Sequence, residues 1–514
     1  MEKCLIGRVS SGTRPRGVIV CACLVACLGF GAGACTESSH ESGRVFAHPV
    51  AVSPLGTPCP KPTHPTKQER SESGALALER INHFVIIYLE NHSFDSLYGL
   101  FPGADGLVDA QCKLTSPKQV DEFGAEYARL PNPPSANGSP FDNLPNQPFP
   151  MEPRVPIDMP PPDLIHRFYT QQAQINGGAM NQFAVFSDAR ALTMGYYDTM
   201  QLPLAKLAAE YTLCDHFFQS AFGGSFLNHM WLIAATSPRY PNLPSAAPVE
   251  PVPMDPSKPF PVTDEGIFRG DDFTFTPDYY AVNTIYSANT PHPGGQAYLL
   301  PSQTDPTIGD RLSAAGISWA WYAGAWNETL AYLNGTGDTN ERVASFQYHH
   351  QPFLYFESFK EGSPGRGEHL KDELDLLDAA KSGQLPAVAF VKPTGVDDEH
   401  PQYANLKRGE DYTVGLIEAI MSSPNWPDTA IIVTYDENGG FADHVAPPII
   451  DRFGPGTRVP AIVISNYAKK HFVDHTQYET VSILSTLERR FGLEPLTARD
   501  QNATDLTHAL TLTD

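Results

Sequence analysis

The stretch TAIIVTYDENGGFADHVAPP, residues 429–448, decides the fold because a buried strand leads directly into a group of ionisable side chains. Residues 430–434 form a short apolar run rich in β-branched side chains, which is typical of a strand buried on both faces of a parallel sheet. Asp436 and Glu437 follow where the strand must end, and ligands of open α/β sheets bind beyond the carboxyl ends of strands. Adjacent carboxylates repel each other unless a cation or a proton neutralises them. The stretch therefore indicates either a site for a hard metal ion or an ordinary acidic turn.

A second stretch repeats this arrangement near the start of the chain. Residues 81–89, INHFVIIYL, read as a buried strand, and Glu90 and Asn91 follow it directly. These two residues either mark the start of a helix or supply a second set of oxygen ligands. Because the carboxyl ends of parallel strands meet at one edge of a sheet, we predict that both groups belong to one site.

The rest of the chain predicts a mostly parallel α/β sheet. The further predicted strands are residues 317–322, 387–393, 429–435 and 459–465, and the predicted helices are residues 198–211, 369–377, 412–421 and 477–491. Strands that alternate with helices form parallel sheets with right-handed crossovers. Loops with charged or histidine side chains at residues 348–353 and 397–401 also follow strands, so they should share the edge with Glu90 and Asp436.

Composition and charge exclude some classes of function. The chain has 514 residues, of which 41% are hydrophobic and 18% are charged, and its formal net charge is -23. These values describe a folded protein that is large enough for one big domain with insertions or for two domains. Nucleic acids and anionic lipids both attract basic surfaces, so the acidic balance argues against either as an electrostatic partner.

The N-terminus predicts export. Basic residues precede an apolar run at residues 18–30 that is too short to span a bilayer, so residues 1–34 are interpreted as a signal peptide. The segment ends in Ala-Gly-Ala-Cys35, which suits simple cleavage and also resembles a lipoprotein box in which Cys35 is lipidated. Residues 35–75 then form a flexible tether, residues 76–514 one folded domain, and the proline-rich residues 238–301 a lid or rim insertion. The product would be periplasmic, secreted or lipid-anchored.

Cysteine use agrees with an oxidising compartment. Cys35, Cys59, Cys112 and Cys214 remain after the leader is removed. If Cys35 is lipidated, one disulfide and one spare thiol remain. We expect Cys59 to pair with Cys112, because Cys214 lies in a stretch that is typical of buried core. No Cys or His spacing indicates structural zinc.

Ser225 is a candidate site residue at the start of a predicted helix. It follows Gly223 and Gly224 and opens an apolar helical pattern. It is therefore either a plain helix-capping serine or part of an anion site in which the glycines allow close approach to a phosphate. His166 and the pair His349 and His350 lie in loops or at helix starts, where histidines have either structural or catalytic roles.

Seven motifs together resemble a known family. They are ENHSFDSLYGLFPGADGL (90–107), INGGAM (175–180), SAFGGSFLNH (220–229), DDEHP (397–401), YDENGGFADHVAPP (435–448) and GPGTRVPAIVIS with DHTQYET (454–480). Over residues 80–495 the chain resembles the bacterial phosphoesterases that include the haemolytic and non-haemolytic phospholipases C and a group of acid phosphatases, relatives of the alkaline phosphatases. The resemblance implies an alkaline phosphatase-like three-layer sandwich, with helices flanking a mostly parallel sheet.

The resemblance also implies roles for particular residues. The expected ligands of one divalent metal ion, Ca, Mg, Mn or Zn, are Glu90, Asn91, Ser225, Asp436 and Glu437. The expected catalytic residues are Ser225, His166, His350 and His400, and the expected substrate-binding residues are Asn228, His229, His349 and His444. Ser225 would attack phosphorus and become a phosphoserine that water hydrolyses.

Three functions are compatible with this pattern. Phospholipase members carry threonine in a GPTNPNR context where this chain has GGSFLNH, and they commonly carry further C-terminal β-domains. Both differences favour an exported acid phosphatase acting on phosphomonoesters, whose activity should fall at alkaline pH as its histidines lose protons. The alternatives are a phospholipase C-type phosphodiesterase and a non-catalytic protein that binds phosphate or a metal. A retained nucleophile argues against the last.

Overall fold

The computed structural model describes residues 72–109, 113–133, 140–245, 247 and 273–512, all of which belong to one compact unit, Leu55–Asp514. The predicted signal peptide, Cys35 and the proposed pair Cys59 and Cys112 lie outside the described residues. Part of the predicted 238–301 insertion lies outside them as well. Cys214 is described, and it is buried with a free thiol.

Fourteen strands are described. They are β1 (His83–Leu89), β2 (Phe149–Pro150), β3 (Gly195–Tyr196), β4 (Thr212–Cys214), β5 (Phe217–Phe218), β6 (Tyr286–Ser287), β7 (Leu299–Leu300), β8 (Trp319–Ala323), β9 (Leu370–Asp372), β10 (Val388–Lys392), β11 (Thr429–Tyr435), β12 (Ala461–Ser465), β13 (Phe472–Asp474) and β14 (Tyr478–Glu479). Eight of them form the central sheet in the order β13-β4-β12-β11-β1-β10-β8-β9.

Thirteen α-helices are described. They are α1 (Glu72–Leu78), α2 (Phe94–Tyr98), α3 (Phe168–Ile175), α4 (Pro203–Glu210), α5 (Ser225–Ala234), α6 (Ile308–Ala314), α7 (Trp326–Leu333), α8 (Glu341–Ala344), α9 (Pro364–His369), α10 (Glu373–Ser382), α11 (Leu406–Met421), α12 (Val481–Phe491) and α13 (Ala498–Asn502). They pack in two main groups, with α4, α10 and α11 in one and α5, α12 and α13 in the other. This flanked sheet confirms the predicted α/β class.

The centre of the sheet is parallel and buried, as its sequence predicts. Strand β1 lies between β10 and β11 and runs parallel to both. All seven residues of β11 are buried, and so are all five of β10, because both faces of the sheet are covered. Leu89 pairs with Tyr435 in register. The residues that follow these two strands therefore emerge side by side at one edge.

Some elements differ from the sequence-based expectation. Strand β12 pairs antiparallel with both β11 and β4, so the sheet is mixed at one side. The helix predicted to begin at His369 begins instead at Glu373, because residues 370–372 pair with β8 as an edge strand. Helix α1 begins at Glu72, inside the segment predicted as tether, and it contacts residues 506–509 from the far end of the chain.

Within the described part of the chain, each helix is too short or too polar to cross a bilayer.

Candidate active site

The loops after β1 and β11 form one polar cluster. The backbone N–H of Asp436 donates to the Leu89 carbonyl at 3.0 Å, and the N–H of Asn91 donates to Asp436 Oδ1 at 3.0 Å. Asn91 has a left-handed backbone with φ of 64°, which turns the chain sharply after Glu90. The two carboxylate groups that the sequence places after separate strands are thus brought together.

Ser225, the first residue of α5, also belongs to this cluster. Its Oγ donates to Glu90 Oε2 at 2.8 Å. The N-cap of α5 is Gly224, and Ser225 is the first residue inside the helix. The Ser225 hydroxyl therefore does not act as a helix cap. Gly223 has φ of 87°, and a Cβ there would lie 2.5 Å from the backbone nitrogen of Phe168. The turn before Ser225 therefore requires glycine, and it holds the hydroxyl against Glu90.

Three buried oxygens beside Ser225 fit a metal ion. Asn91 Oδ1, Asp436 Oδ2 and Glu437 Oε1 have no hydrogen-bond partner among the described residues, although all three side chains are fully buried. Burial raises the pKa of Asp436 well above its usual range, and the Glu90 carboxylate raises it further. Burial and Asp436 do the same to the pKa of Glu437. A divalent cation would satisfy these oxygens and relieve their mutual repulsion.

Glu90 is held as an anion by a cation that sequence reasoning missed. The Lys392 ammonium, at the end of β10, contacts Glu90 Oε1 and donates to the Tyr88 carbonyl at 3.0 Å. Burial alone raises the pKa of Glu90, but Lys392 and nearby imidazoles outweigh it and lower the pKa to about 2. The available signal was a lysine that ends the otherwise apolar run AVAFVK.

A cavity of about 470 Å³ opens in front of Ser225. Its walls include Ser225, His166, His349 and His400, together with Asp163 and Tyr403. His166 Nδ1 lies 2.5 Å from the Leu164 carbonyl, and His400 Nδ1 lies 2.6 Å from the Pro401 carbonyl. Each Nδ1 therefore carries a proton, which leaves Nε2 of His400 available to a ligand. Nε2 of His166 already lies 3.3 Å from Asn91 Nδ2, next to the metal-ligand candidates. Sequence reasoning missed Asp163 and Tyr403, because neither stands in a motif.

Two of the predicted histidines lie beneath the cavity and do not line it. The rings of His229 and His350 stack in parallel with centroids 5.0 Å apart. His350 Nε2 lies 3.2 Å from Glu90 Oε1, and His229 Nε2 lies 4.0 Å from the same oxygen. Burial and Lys392 lower the pKa of His350 well below its usual range, and they do the same for His229. Both imidazoles therefore face the metal-ligand candidate Glu90.

Asn228 supports the serine turn from one turn further along α5. Its Nδ2 donates to the carbonyls of Gly223 and Gly224 at 3.2 and 3.3 Å, and its Oδ1 accepts from the N–H of Ala221 at 3.0 Å. These bonds use both polar atoms of the fully buried side chain. The structure therefore places Asn228 as a support for the glycine turn, away from the cavity wall.

His444 lies in a different polar cluster. Its Nδ1 is 2.8 Å from Asp95 Oδ2, and its Nε2 is 3.5 Å from Asp105 Oδ1. The buried guanidinium of Arg458 binds Asp95 and Asp443 in the same cluster. Burial alone lowers the pKa of His444, but Asp95 and Asp105 raise it to about 10. The structure thus separates His444 from the other predicted substrate-binding residues.

This cluster gives a pH-dependent expectation for stability. The folded-state pKa of His444 lies above the ordinary value of 6.5, so its stabilising contribution is full below pH 6.5 and is lost as pH rises through about 10. We expect His444→Gln to lower the free energy of unfolding by about 1.5–3 kcal/mol near pH ~6. The difference from wild type should shrink towards pH ~10. Urea unfolding at several pH values measures it, and a difference that stays constant would contradict the ion-paired state.

Curated relatives of this chain are named phospholipases C. Phospholipase C B of Mycobacterium tuberculosis is 25% identical, over 84% of this chain and 77% of that protein. Non-specific phospholipase C3 of Arabidopsis thaliana is 23% identical, over 84% and 74%. Non-hemolytic phospholipase C of Pseudomonas aeruginosa is 24% identical, over 81% and 55%.

The solved structures that match this chain have lower sequence identity to it than these relatives. A protein in the alkaline phosphatase superfamily from Vibrio parahaemolyticus is 12% identical, with coverage of 69% of this chain and 74% of that one and a TM-score of 0.29. Murine ectonucleotide pyrophosphatase/phosphodiesterase 5 is 10% identical, with coverage of 61% and 96% and a TM-score of 0.31.

The family assignment rests on a match over most of the chain. The sequence profile of the Phosphoesterase family matches residues 81–494, a range that includes β1, β11, Ser225 and all the residues of the cavity. The protein therefore belongs to the Phosphoesterase family and is a hydrolase that acts on phosphoric ester bonds.

Proposed function

We propose that the protein is a phospholipase C-type phosphodiesterase in which Ser225 is the nucleophile. The observation that carries this proposal is the hydrogen bond from Ser225 Oγ to Glu90 Oε2, 2.8 Å long, at the wall of the cavity. A serine held by a buried carboxylate beside a substrate-sized cavity has the arrangement of an activated nucleophile. The names of the relatives add support for a diester substrate.

The proposed reaction has two displacements at phosphorus. In the first, Ser225 Oγ forms a bond to phosphorus, and the bond from phosphorus to the leaving alcohol breaks. The serine proton points at Glu90 Oε2, which is the acceptor that the chain offers. His400 and His166 line the cavity, and the imidazolium form of either ring can give its Nε2 proton to the departing oxygen. In the second displacement, water forms a bond to phosphorus and gives a proton to the imidazole that protonated the leaving alcohol, while the bond from phosphorus to Ser225 Oγ breaks and Glu90 returns the proton to Ser225 Oγ.

We propose that one divalent ion, Ca, Mg, Mn or Zn, binds Asn91, Asp436 and Glu437 together with Glu90 and Ser225. The unpartnered oxygens of the first three residues support this ligand set. When bound, such an ion would supply Lewis-acid polarisation of the phosphate and would favour ionised serine. Ligands that are mostly oxygens suit Ca, Mg and Mn, and they do not exclude Zn.

The charges at the cavity favour a substrate with one negative charge. Burial lowers the pKa of His349 to about 4 and also lowers the pKa of His400, so both imidazoles are largely neutral near pH ~7 in the free protein. Asp163 and Asp188 add carboxylates to the wall, and Arg167 adds a cation. A phosphodiester carries a single charge, whereas a phosphomonoester carries almost two near neutral pH. The diester therefore needs less positive charge from the protein.

A phosphomonoesterase is the second candidate. Its support is Ser225 itself, which stands where phospholipase members of the resembled family carry threonine. The histidines of the cavity would then have to gain protons when a dianion binds. Such an enzyme would be most active at acidic pH, because protonation of His349 and His400 becomes easier as the pH falls.

A matched pair of substrates separates the two candidates. p-Nitrophenyl phosphate and its monoalkyl diester share one leaving group and differ in charge. We expect the purified, metal-loaded protein to show a kcat/KM at least ~10-fold higher for the diester. A parallel assay with phospholipid vesicles should release diacylglycerol and a phosphorylated alcohol. A preference for the monoester, with free phosphate as the product, would favour the phosphomonoesterase, and Ser225→Ala controls for contaminating activity in either assay.

A further inference from the structure

Lys392 is the one lysine that the described structure buries within the proposed metal site. Only 1% of its surface is exposed, and it extends from the carboxyl end of β10 next to β1. Its ammonium contacts Glu90 Oε1 and donates to the Tyr88 carbonyl at 3.0 Å. A buried ammonium is stable only when it is paired with an anion and its hydrogen bonds are satisfied. Glu90 is therefore the counter-ion of Lys392, whatever else it binds.

The side chains around Glu90 Oε1 are of the types that bind metal ions. Glu90, His229 and His350 offer one oxygen and two nitrogens that all lie within 4.8 Å of one another. His229 Nε2 and His350 Nε2 have no hydrogen-bond partner among the described residues. His229 Nδ1 lies 2.7 Å from the Ser225 carbonyl, which fixes that ring with Nε2 towards Glu90. A carboxylate with two imidazoles is a common donor set for zinc.

We propose that the Lys392 ammonium takes the position of a second metal ion, so that the centre holds one divalent ion and one fixed cation. This inference rests on the proposed metal site of Asn91, Asp436 and Glu437 for the first ion. Lys392 contacts Glu90 Oε1, which is the oxygen that a second ion would share with His229 and His350, whereas Oε2 on the Ser225 side is left to the first ion. A second ion would therefore bind the same oxygen atom as the ammonium. Coulomb repulsion in a buried site disfavours that arrangement strongly.

The balance of charge supports the same arrangement. One divalent ion and one ammonium together neutralise the three carboxylates of Glu90, Asp436 and Glu437. Two divalent ions beside Lys392 would leave a net positive centre that is closed off from water on its buried side. Lys392 also acts as a positioning residue, because it holds one oxygen of Glu90 and leaves the other oxygen to accept the Ser225 hydroxyl.

Counting bound ions tests the inference without reference to turnover. The full chain is dialysed against Zn²⁺, freed of excess metal and analysed for zinc per protein molecule. We expect one ion in wild type and a two-fold increase in Lys392→Ala, with the second ion lost again in Lys392→Ala/His350→Ala. Lys381→Met, an exposed lysine of α10, is the control and should keep one ion. A single ion in folded Lys392→Ala, or two ions in wild type, would overturn the inference.

A second variant keeps the inference testable if Lys392→Ala does not fold. With Lys392 intact, His350→Ala should still bind one Zn²⁺, because Asn91, Asp436 and Glu437 do not depend on that imidazole. Loss of the ion from His350→Ala would show that Glu90, His229 and His350 hold the metal, which contradicts the inference. If wild type hydrolyses no phosphoester, the proposed function fails, and these ion counts still decide the role of Lys392.

Activity gives a separate view of the positioning role. Lys392→Ala should lower kcat for the diester at least ~10-fold with little change in KM, because Ser225 loses its oriented partner and the cavity wall is unchanged. A small primary ammonium such as ethylammonium should restore part of kcat to Lys392→Ala by filling the space. It should not restore Lys392→Met, whose side chain already fills that space. Equal behaviour of the two variants would contradict the positioning role.

Discussion

Ser225→Ala should lose phosphodiester turnover by at least ~10³-fold and should fold with nearly wild-type stability. Turnover falls because the change removes the hydroxyl that would attack phosphorus. Stability changes little because Ser225 is not the cap of α5, whose cap is Gly224. The hydroxyl donates to Glu90, and Glu90 keeps Lys392 as its partner in the variant. Steady-state kinetics on the matched ester pair and urea unfolding give the two readouts.

A serine that does cap a helix provides the matched control, and the opposite result is expected for it. Ser363 caps α9, where its hydroxyl accepts a hydrogen bond from the N–H of Arg366. Ser363→Ala should therefore cost about 0.5–2 kcal/mol of stability and leave turnover unchanged. If Ser225→Ala instead behaved like Ser363→Ala, with lower stability and intact turnover, Ser225 would be a structural residue and the proposed mechanism would be wrong.

Asp436→Asn should abolish tight binding of the divalent ion and reduce turnover at least ~10²-fold. The amide keeps an oxygen for the N–H groups of Asn91 and Glu437, which Asp436 Oδ1 accepts at 3.0 and 2.8 Å, so the loops should stay in place. What is lost is the negative charge at the unpartnered oxygen. Elemental analysis of the dialysed protein gives the ion content.

Thermal unfolding adds a readout that does not depend on activity. A chelator should lower the Tm of wild type, because an ion that binds only the folded state stabilises it. The same chelator should have little effect on Asp436→Asn, whose metal-free form also has one less buried carboxylate to repel Glu90 and Glu437. Glu418→Gln, an exposed change on α11, is the control. Stoichiometric metal in Asp436→Asn would place the ion elsewhere.

The sequence predicts the centre of this fold well because the buried strands there are short, mostly apolar runs. The apolar runs at residues 81–89 and 429–435 become β1 and β11, which lie side by side, and Glu90 and Asp436 meet at one edge as expected. The helix that starts at Ser225 is predicted for the same reason. In each case the local pattern and the tertiary environment agree, so a short window of sequence is sufficient.

Other features depend on contacts that no short window contains. The edge strand at residues 370–372 forms because β8 is available beside it, and α1 forms against residues 506–509. In the sequence, Lys392 is only the polar residue that ends an apolar strand. Its pairing with Glu90 becomes apparent only when β10 lies beside β1 in the sheet. His444 stands in a catalytic-looking motif, but Asp95 and Asp105 take both of its ring nitrogens. These features are set by which elements become neighbours.

The covalent step at Ser225 is tested most directly by trapping it. Wild-type protein is mixed with a ³²P-labelled ester substrate, quenched in acid within the first turnovers and digested, and the labelled peptide is mapped by mass spectrometry. We expect label on the peptide that contains Ser225 and none in Ser225→Ala. Turnover by wild type without any label on Ser225, together with activity retained in Ser225→Ala, would contradict the double-displacement mechanism and would favour direct attack by water.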